Sequence, residues 1–150
     1  MNTMRAEAID WLDEHVWDLG ITLTFKDKVT EQRADRAIGH MWNRVDRTLY
    51  GNAAKRYGKR VERVNVFENN FEKTNLHCHI GAIVPVNRTI DATRLRDLIA
   101  KVWKQVSCAG YINDFQFIND SKGWTEYITK GITATSTDVL NLRTTHLITH

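Results

Sequence analysis

The apolar residues of this chain change period several times along its length, and that alternation restricts it to a fold mixing helices with a sheet. Ala34, Ile38, Met41, Trp42, Val45 and Leu49 recur at helical spacing and predict a helix over 31–50, ended by Gly51. Ile21-Thr22-Leu23-Thr24-Phe25 instead alternates in period two and is rich in strand formers, so it reads as a strand. Before it, Ile9, Leu12, Val16 and Leu19 predict an N-terminal helix over 2–19, with Gly20 as its C-terminal cap. Residues 52–60 read as a basic loop. Arg63 to Glu68 and Leu76 to Val84 read as two strands joined by a turn over 69–75, the second closed by Pro85, the only proline. Asp91 or Thr93 can cap a further helix whose Leu95, Leu98, Ile99, Val102, Trp103 and Val106 face inward. Tyr111 to Ile118 reads as another strand, and Asp120 or Ser121 opens a short helix through Lys130, ended by Gly131. The order αβαββαβα predicts an α+β domain, an antiparallel sheet with helices packed on one face. This domain is expected to span 1–131, followed by a Thr-rich tail over 132–150 that either docks or stays mobile.

A chain of 150 residues can bury a core without covalent staples. Its 21 basic and 18 acidic side chains leave a charge of +3, which permits nucleic-acid binding without demanding it. No apolar run is long enough to span a bilayer, and the acidic N-terminal stretch of Glu7, Asp10, Asp13 and Glu14 does not suit a signal peptide, so no membrane partner is expected. The two cysteines, Cys78 and Cys108, form no disulfide framework and predict a reducing, intracellular setting.

Chemistry concentrates first at Leu76-His77-Cys78-His79-Ile80. Side chains alternate faces on a strand, so His77 and His79 project together while Cys78 turns away. Two imidazoles so placed can share a metal ion; the same pattern also describes two polar residues on a solvated strand face. A zinc site using Cys78 and Cys108 is disfavoured by the orientation of Cys78 and by the lack of a Cys-x-x-Cys pair. A third ligand would come from the preceding strand, from Glu68 across the turn or, second, from Glu72 within it. Imidazole and carboxylate ligands suit Mn²⁺ or Mg²⁺ with open positions for Lewis-acid work.

The second concentration is Trp124-Thr125-Glu126-Tyr127-Ile128-Thr129-Lys130, where Tyr127 and Lys130 share a helix face at i and i+3. A phenol is a poor nucleophile at neutral pH, but a neighbouring cation and a polarised phosphate can activate it. By itself the pattern more often describes a packed tyrosine beside a solvated lysine. Lys55, Arg56, Lys59, Arg60 and Arg63, with Tyr57 among them, form the densest basic run and can track phosphates and stack a base, or simply make a solvated loop. Trp11, Trp17, Trp42 and Trp103 fall on helical stripes and read as structural, as does Trp124. His40, His146 and His150 read as surface residues, and His15 is open to either assignment.

Taken in order, these parts resemble the HUH superfamily of single-strand DNA endonucleases, in particular the rolling-circle replication initiators (Rep proteins). Ile21-Thr22-Leu23-Thr24-Phe25 is similar to that family's first strand motif, His77-Cys78-His79 to its His-hydrophobic-His motif, and Tyr127-Ile128-Thr129-Lys130 to its single-tyrosine Tyr-x-x-Lys motif. The resemblance covers residues 21 to 131 and leaves the N-terminal helix as an addition. It implies a ferredoxin/RRM-like core and a divalent ion held by His77, His79 and Glu68. It also implies attack by Tyr127 to give a 5′-phosphotyrosine and a free 3′-hydroxyl, with Lys130 positioning the phosphate. The implied substrate is a single-stranded DNA origin or hairpin. The segment 51–60 fails the phosphate-loop pattern G-x-x-x-x-G-K-[ST], so helicase and polymerase would be supplied by other proteins. A single-tyrosine HUH transposase carries a glutamine one turn beyond its tyrosine, where this chain has Lys130-Gly131. A relaxase has its tyrosine near the N-terminus, where this chain has none. A non-catalytic nucleic-acid-binding module, the alternative of another class, predicts aromatic residues on the open sheet face.

Overall fold

A computed structural model describes residues 2–68, 76–86, 89–132 and 140–148. Along the chain run α1 (Thr3–Leu12), β1 (Leu19–Thr24), α2 (Glu31–Tyr50), α3 (Asn52–Tyr57), β2 (Arg63–Glu68), β3 (His77–Ala82), α4 (Ala92–Lys104), β4 (Asp114–Phe117) and α5 (Ser121–Ile128). The four strands make one antiparallel sheet in the order β2-β3-β1-β4. The α+β class expected from the alternation of periods is therefore the observed one.

Helices cover both faces of that sheet, and the expectation of a single covered face is corrected. Period two sends Leu19, Ile21 and Leu23 of β1 and Cys78, Ile80 and Ala82 of β3 to one side, where they pack with Ile38, Met41, Trp42 and Val45 of α2 and Leu95, Ile99 and Trp103 of α4. The alternate positions Val64 and Val66 face the other side and pack with Leu12, Trp17 and Ile128. Short apolar stretches near the chain ends supply this second layer, which is why the sequence pattern did not reveal it.

Local corrections have identifiable causes. The N-terminal helix stops at Leu12, because Trp17 donates its backbone N–H to Ser121 Oγ at 3.0 Å and Asp18 donates its own to the Ala82 carbonyl at 2.9 Å. Val16 is consequently 72% exposed, and Gly20 lies inside β1 instead of capping a helix. The basic segment after Gly51 is partly helical, as α3, and ends at Gly58 with φ of 64°. The last strand is only Asp114–Phe117; Tyr111 and Ile112 stand exposed in the bend before it. That bend is fixed by Asn113 Oδ1, which accepts from the Thr24 backbone N–H at 2.8 Å. The expected turn over 69–75, with Glu72, and His150 lie outside the described residues.

Of the C-terminal tail, residues 140–148 dock along the free edge of β2. Arg63 and His146 exchange backbone hydrogen bonds of 2.8 and 2.9 Å, and Asn141 donates to the Asn65 carbonyl at 2.9 Å. Beneath this edge, Trp42 Nε1 donates to Asn65 Oδ1 at 3.0 Å and Asn65 Nδ2 donates to Thr144 Oγ1 at 2.9 Å, so the tail's polar groups complete a buried network. Pairing with the tail also covers an edge that would otherwise present unpaired backbone groups.

Candidate active site

The second face of the sheet carries the candidate residues. In register, Glu68 on β2 lies opposite His77 on β3, which lies opposite Thr24 on β1; one pair along, Val66, His79, Thr22 and Asp114 form the next row across all four strands. Facing positions thus bring both histidines and Glu68 to one surface, with Cys78 buried behind them in the main core. Burial pushes the Cys78 thiol far up from its ordinary value, and Cys108 is buried as well, so both behave as small apolar residues.

His79 is held from two sides. Thr22 Oγ1 is 3.0 Å from its Nδ1, while Nε2 hydrogen-bonds the Glu68 carboxylate. With Nε2–H donating to Glu68, Nδ1 is the acceptor and the Thr22 hydroxyl the donor. Burial of the ring pulls the His79 pKa below its usual value, against the opposing pull of Glu68. For Glu68, burial pushes upward, but the hydrogen bonds from His79 and Lys130 together outweigh it and hold the carboxyl below the usual range. Lys130 Nζ sits 3.0 Å from Glu68 Oε1, and that bond raises the lysine pKa.

The tyrosine arrives on α5. Two glycines in register, Gly20 and Gly81, leave the sheet bare enough for indole rings to lie on it. A Cβ at Gly81 would come within 2.9 Å of Trp17 Cδ2, and one at Gly20 within 3.0 Å of Trp124 and 2.9 Å of Ile118. This close approach seats α5 against β3. Asp120 caps the helix by accepting from the Gly123 N–H at 2.9 Å, and Trp17 Nε1 donates to Thr125 Oγ1 at 3.3 Å. The N-terminal segment braces it from outside: Arg5 donates to the Glu126 carbonyl at 2.9 Å and Asn2 to the Ile132 carbonyl at 3.0 Å.

So seated, the Tyr127 ring meets the His79 ring edge to face at 5.2 Å between centroids, and Lys130 Nζ lies 4.3 Å from the Tyr127 ring centre. Tyr127 is 45% exposed, open to a substrate. His77 completes the cluster, its ring 6.3 Å from that of His79. Tyr127, Lys130, His77, His79 and Glu68 therefore share one surface. Among the described residues no group of three His, Cys, Asp or Glu side chains is arranged to hold a metal ion as they stand. Glu68 is instead closed onto His79 and Lys130.

The basic run is not part of this cluster. Arg63 pairs with Ala82 at the far end of β2 from the Glu68–His77 pair, roughly 17 Å of strand at about 3.4 Å per residue. Lys55, Arg56, Lys59 and Arg60 precede it, beyond that far end. Lys59 and Arg60, with Tyr57, Glu62 and His146, line an open groove of about 960 Å³ there. Arg63 itself must be removed from any DNA-contacting set. It is buried, ion-paired to Asp46 at 2.9 Å, stacked 4.7 Å from the Trp42 ring and bonded to the Thr144 carbonyl at 2.8 Å.

Other assignments resolve similarly. His15 is buried and stacked on Trp17 at 5.6 Å, with Nδ1 3.7 Å from Glu62. His40 is exposed, whereas His146 is half-buried. Trp124 is half-buried and stacks on Tyr127 at 5.5 Å, while Trp11 is partly exposed. Thr22 escaped the sequence reading as a site residue; only the cross-strand register reveals it. No family model, curated protein or solved structure matches the chain. Among the described residues no helix is long and apolar enough to cross a membrane.

Proposed function

We propose that this protein nicks and rejoins single-stranded DNA through a covalent 5′-phosphotyrosine, in the manner of an HUH replication initiator. The observation that carries this reading is the contact of Tyr127 with His79 while Lys130 touches both Tyr127 and Glu68. A phenol, an ammonium, two imidazoles and a carboxylate, drawn from α5 and the turn after it, β3 and β2, meet at one point, with His79 buried at its base and Tyr127 and Lys130 open to solvent. In-line displacement at phosphorus chiefly requires positioning and charge neutralisation, and this is the set of groups that supplies both.

The donor set suits a divalent ion, Mn²⁺ or Mg²⁺, at His77, His79 and Glu68. His79 Nε2 and the Glu68 carboxylate already face each other, and a cation would replace the proton they share. Thr22 would fix the orientation of the His79 ring by its bond to Nδ1. When bound, the ion would polarise a phosphate oxygen. Tyr127 Oη attacks phosphorus and its proton passes to water at the exposed ring, while the P–O3′ bond breaks and the departing O3′ takes a proton from water to leave as the 3′-hydroxyl. Lys130 balances the charge gathering on the phosphate. The released 3′-hydroxyl primes synthesis or attacks the phosphotyrosine in reverse, and no nucleotide is consumed. Lys55, Arg56, Lys59 and Arg60 would hold a distal stretch of an origin or hairpin at the far end of the sheet, with helicase and polymerase supplied by partners. A non-catalytic module is the weaker reading, because the strand positions of β1 and β3 beside Tyr127 carry Thr22, Thr24, His77 and His79 where such a module would need aromatic rings.

Incubation with a randomised single-stranded oligonucleotide pool and Mn²⁺ is expected to give a protein–DNA adduct that survives denaturing electrophoresis. Tyr127→Phe should remove it, and EDTA or His77→Ala should suppress it. An adduct of undiminished yield with Tyr127→Phe would show that another residue is the nucleophile, and one that persists in EDTA would remove the metal from the scheme.

A further inference from the structure

Tyr127 separates two surfaces of opposite character. Toward β2 and β3 lie Lys130 and the imidazoles. Toward β4 lies a cavity of about 470 Å³ whose lining includes Tyr127, Trp124, Phe117, Asp114, Gln116 and Asn119. No lysine, arginine or histidine lines it among the described residues. Its carboxylates repel a phosphate, while its aromatic walls and amides match a planar, uncharged, hydrogen-bonding group. Asp114 and Gln116 are exposed on β4, two residues apart and so on the same face, and Gln116 Nε2 donates to Asp114 Oδ2 at 2.7 Å. That bond holds Asp114 Oδ2 in place, and an ionised carboxylate keeps further acceptor sites for a ligand offering N–H groups. The Trp124 indole N–H is buried without a hydrogen-bond partner among the described residues, a polar atom unused by the fold.

We infer that this cavity takes the nucleobase next to the phosphate that Tyr127 attacks, and that Asp114 reads its donor edge. Guanine is the base selected, because N1–H and the N2 amino group present two adjacent donors to one carboxylate. The inference rests on the DNA-nicking reading for its substrate, and deepens it by naming the residues that choose where the strand is cut.

Two measurements keep the inference and that reading apart. The first is fluorescence anisotropy without metal, on the Tyr127→Phe variant so that no adduct forms, with labelled thymine-tract oligonucleotides carrying one central guanine, inosine, adenine or cytosine. Guanine should bind about tenfold tighter than the others, inosine losing the advantage because it lacks the N2 amino group. Asp114→Asn, at an exposed position, should abolish that preference while leaving affinity for the plain thymine tract within about twofold, and Gln116→Ala should weaken it. The second maps the cut site of the guanine oligonucleotide with the parent protein and Mn²⁺, where cleavage beside the guanine is expected. Equal binding of all four bases, or a preference unchanged in Asp114→Asn, overturns the inference whether or not nicking occurs. A guanine preference that depends on Asp114 in a protein forming no adduct with any oligonucleotide would uphold the cavity and overturn the nicking chemistry.

Discussion

Arg63 and His79 show how differently two polar side chains can be held on one sheet. Arg63 faces the main core, where burial lowers its pKa even as Asp46 pulls the other way. Removing the guanidinium strands a buried carboxylate, so Arg63→Ala should destabilise the fold by about 3–5 kcal/mol, read as a fall in the urea midpoint. Because the guanidinium is out of reach of solvent, any loss of DNA affinity should follow that loss of folding. His79 faces the site, and its depressed pKa gives a definite sign. The unfolded ring takes up a proton near pH 6.5 and the folded one does so only at lower pH, so acid first weakens the fold below about pH 6.5. Glu68, also depressed, contributes stability above its ordinary value of 4.5 that is lost as pH falls through the folded value. Thermal melts in EDTA should therefore decline in two stages, and Glu68→Gln should flatten the lower one. Thr22→Val should leave the melt near that of the parent but reduce adduct formation by about 10–100-fold, the usual cost of losing a partner that orients a ligand.

At the level of elements, the seating of α5 decides where Tyr127 stands relative to the histidines. Its seat is the Gly20–Gly81 pair with Trp17 and Trp124 lying over it. Gly20→Ala inserts a methyl group where Ile118 and Trp124 already are, and should cost about 1–3 kcal/mol as overpacking. Displacing Trp124 also displaces the Tyr127 ring stacked on it, so adduct formation should fall further than the melting temperature alone would explain. His15, on the same layer, supports Trp17 from the side. The helix over 31–50 was legible because its stripe is long and strictly periodic. The helix at the N-terminus was overextended, because Val16 and Leu19 continued the spacing by coincidence while hydrogen bonds to Ser121 and Ala82 captured the backbone there.

For the whole molecule, the docked C-terminal segment matters more than its threonine-rich composition suggests. Residues 140–148 pair with the edge of β2, and Leu140 and Leu147 pack into the layer beneath the site. Truncation after Gly131 should expose that edge and deprive Arg63 and Asn65 of Thr144. The expected outcome is a lower melting temperature and concentration-dependent association in light scattering, as unpaired edges pair with one another. Burial, with Arg63 and Arg60 nearby, depresses the pKa of His146 in this segment, so protonation loosens the segment below about pH 6.5.

By itself the sequence determined the α+β class, the strand over 63–68, the long helix, and which face of β3 the two histidines share. All of these follow from local periodicity, which a single chain displays openly. Only the tertiary structure decided that a second layer covers the sheet, that the tail closes its edge, and that Arg63 is buried while Thr22 stands beside His79 with Asp114 one strand further on. Those facts depend on register between strands far apart in sequence and on two glycines admitting indole rings, and no window of neighbouring residues encodes such a contact.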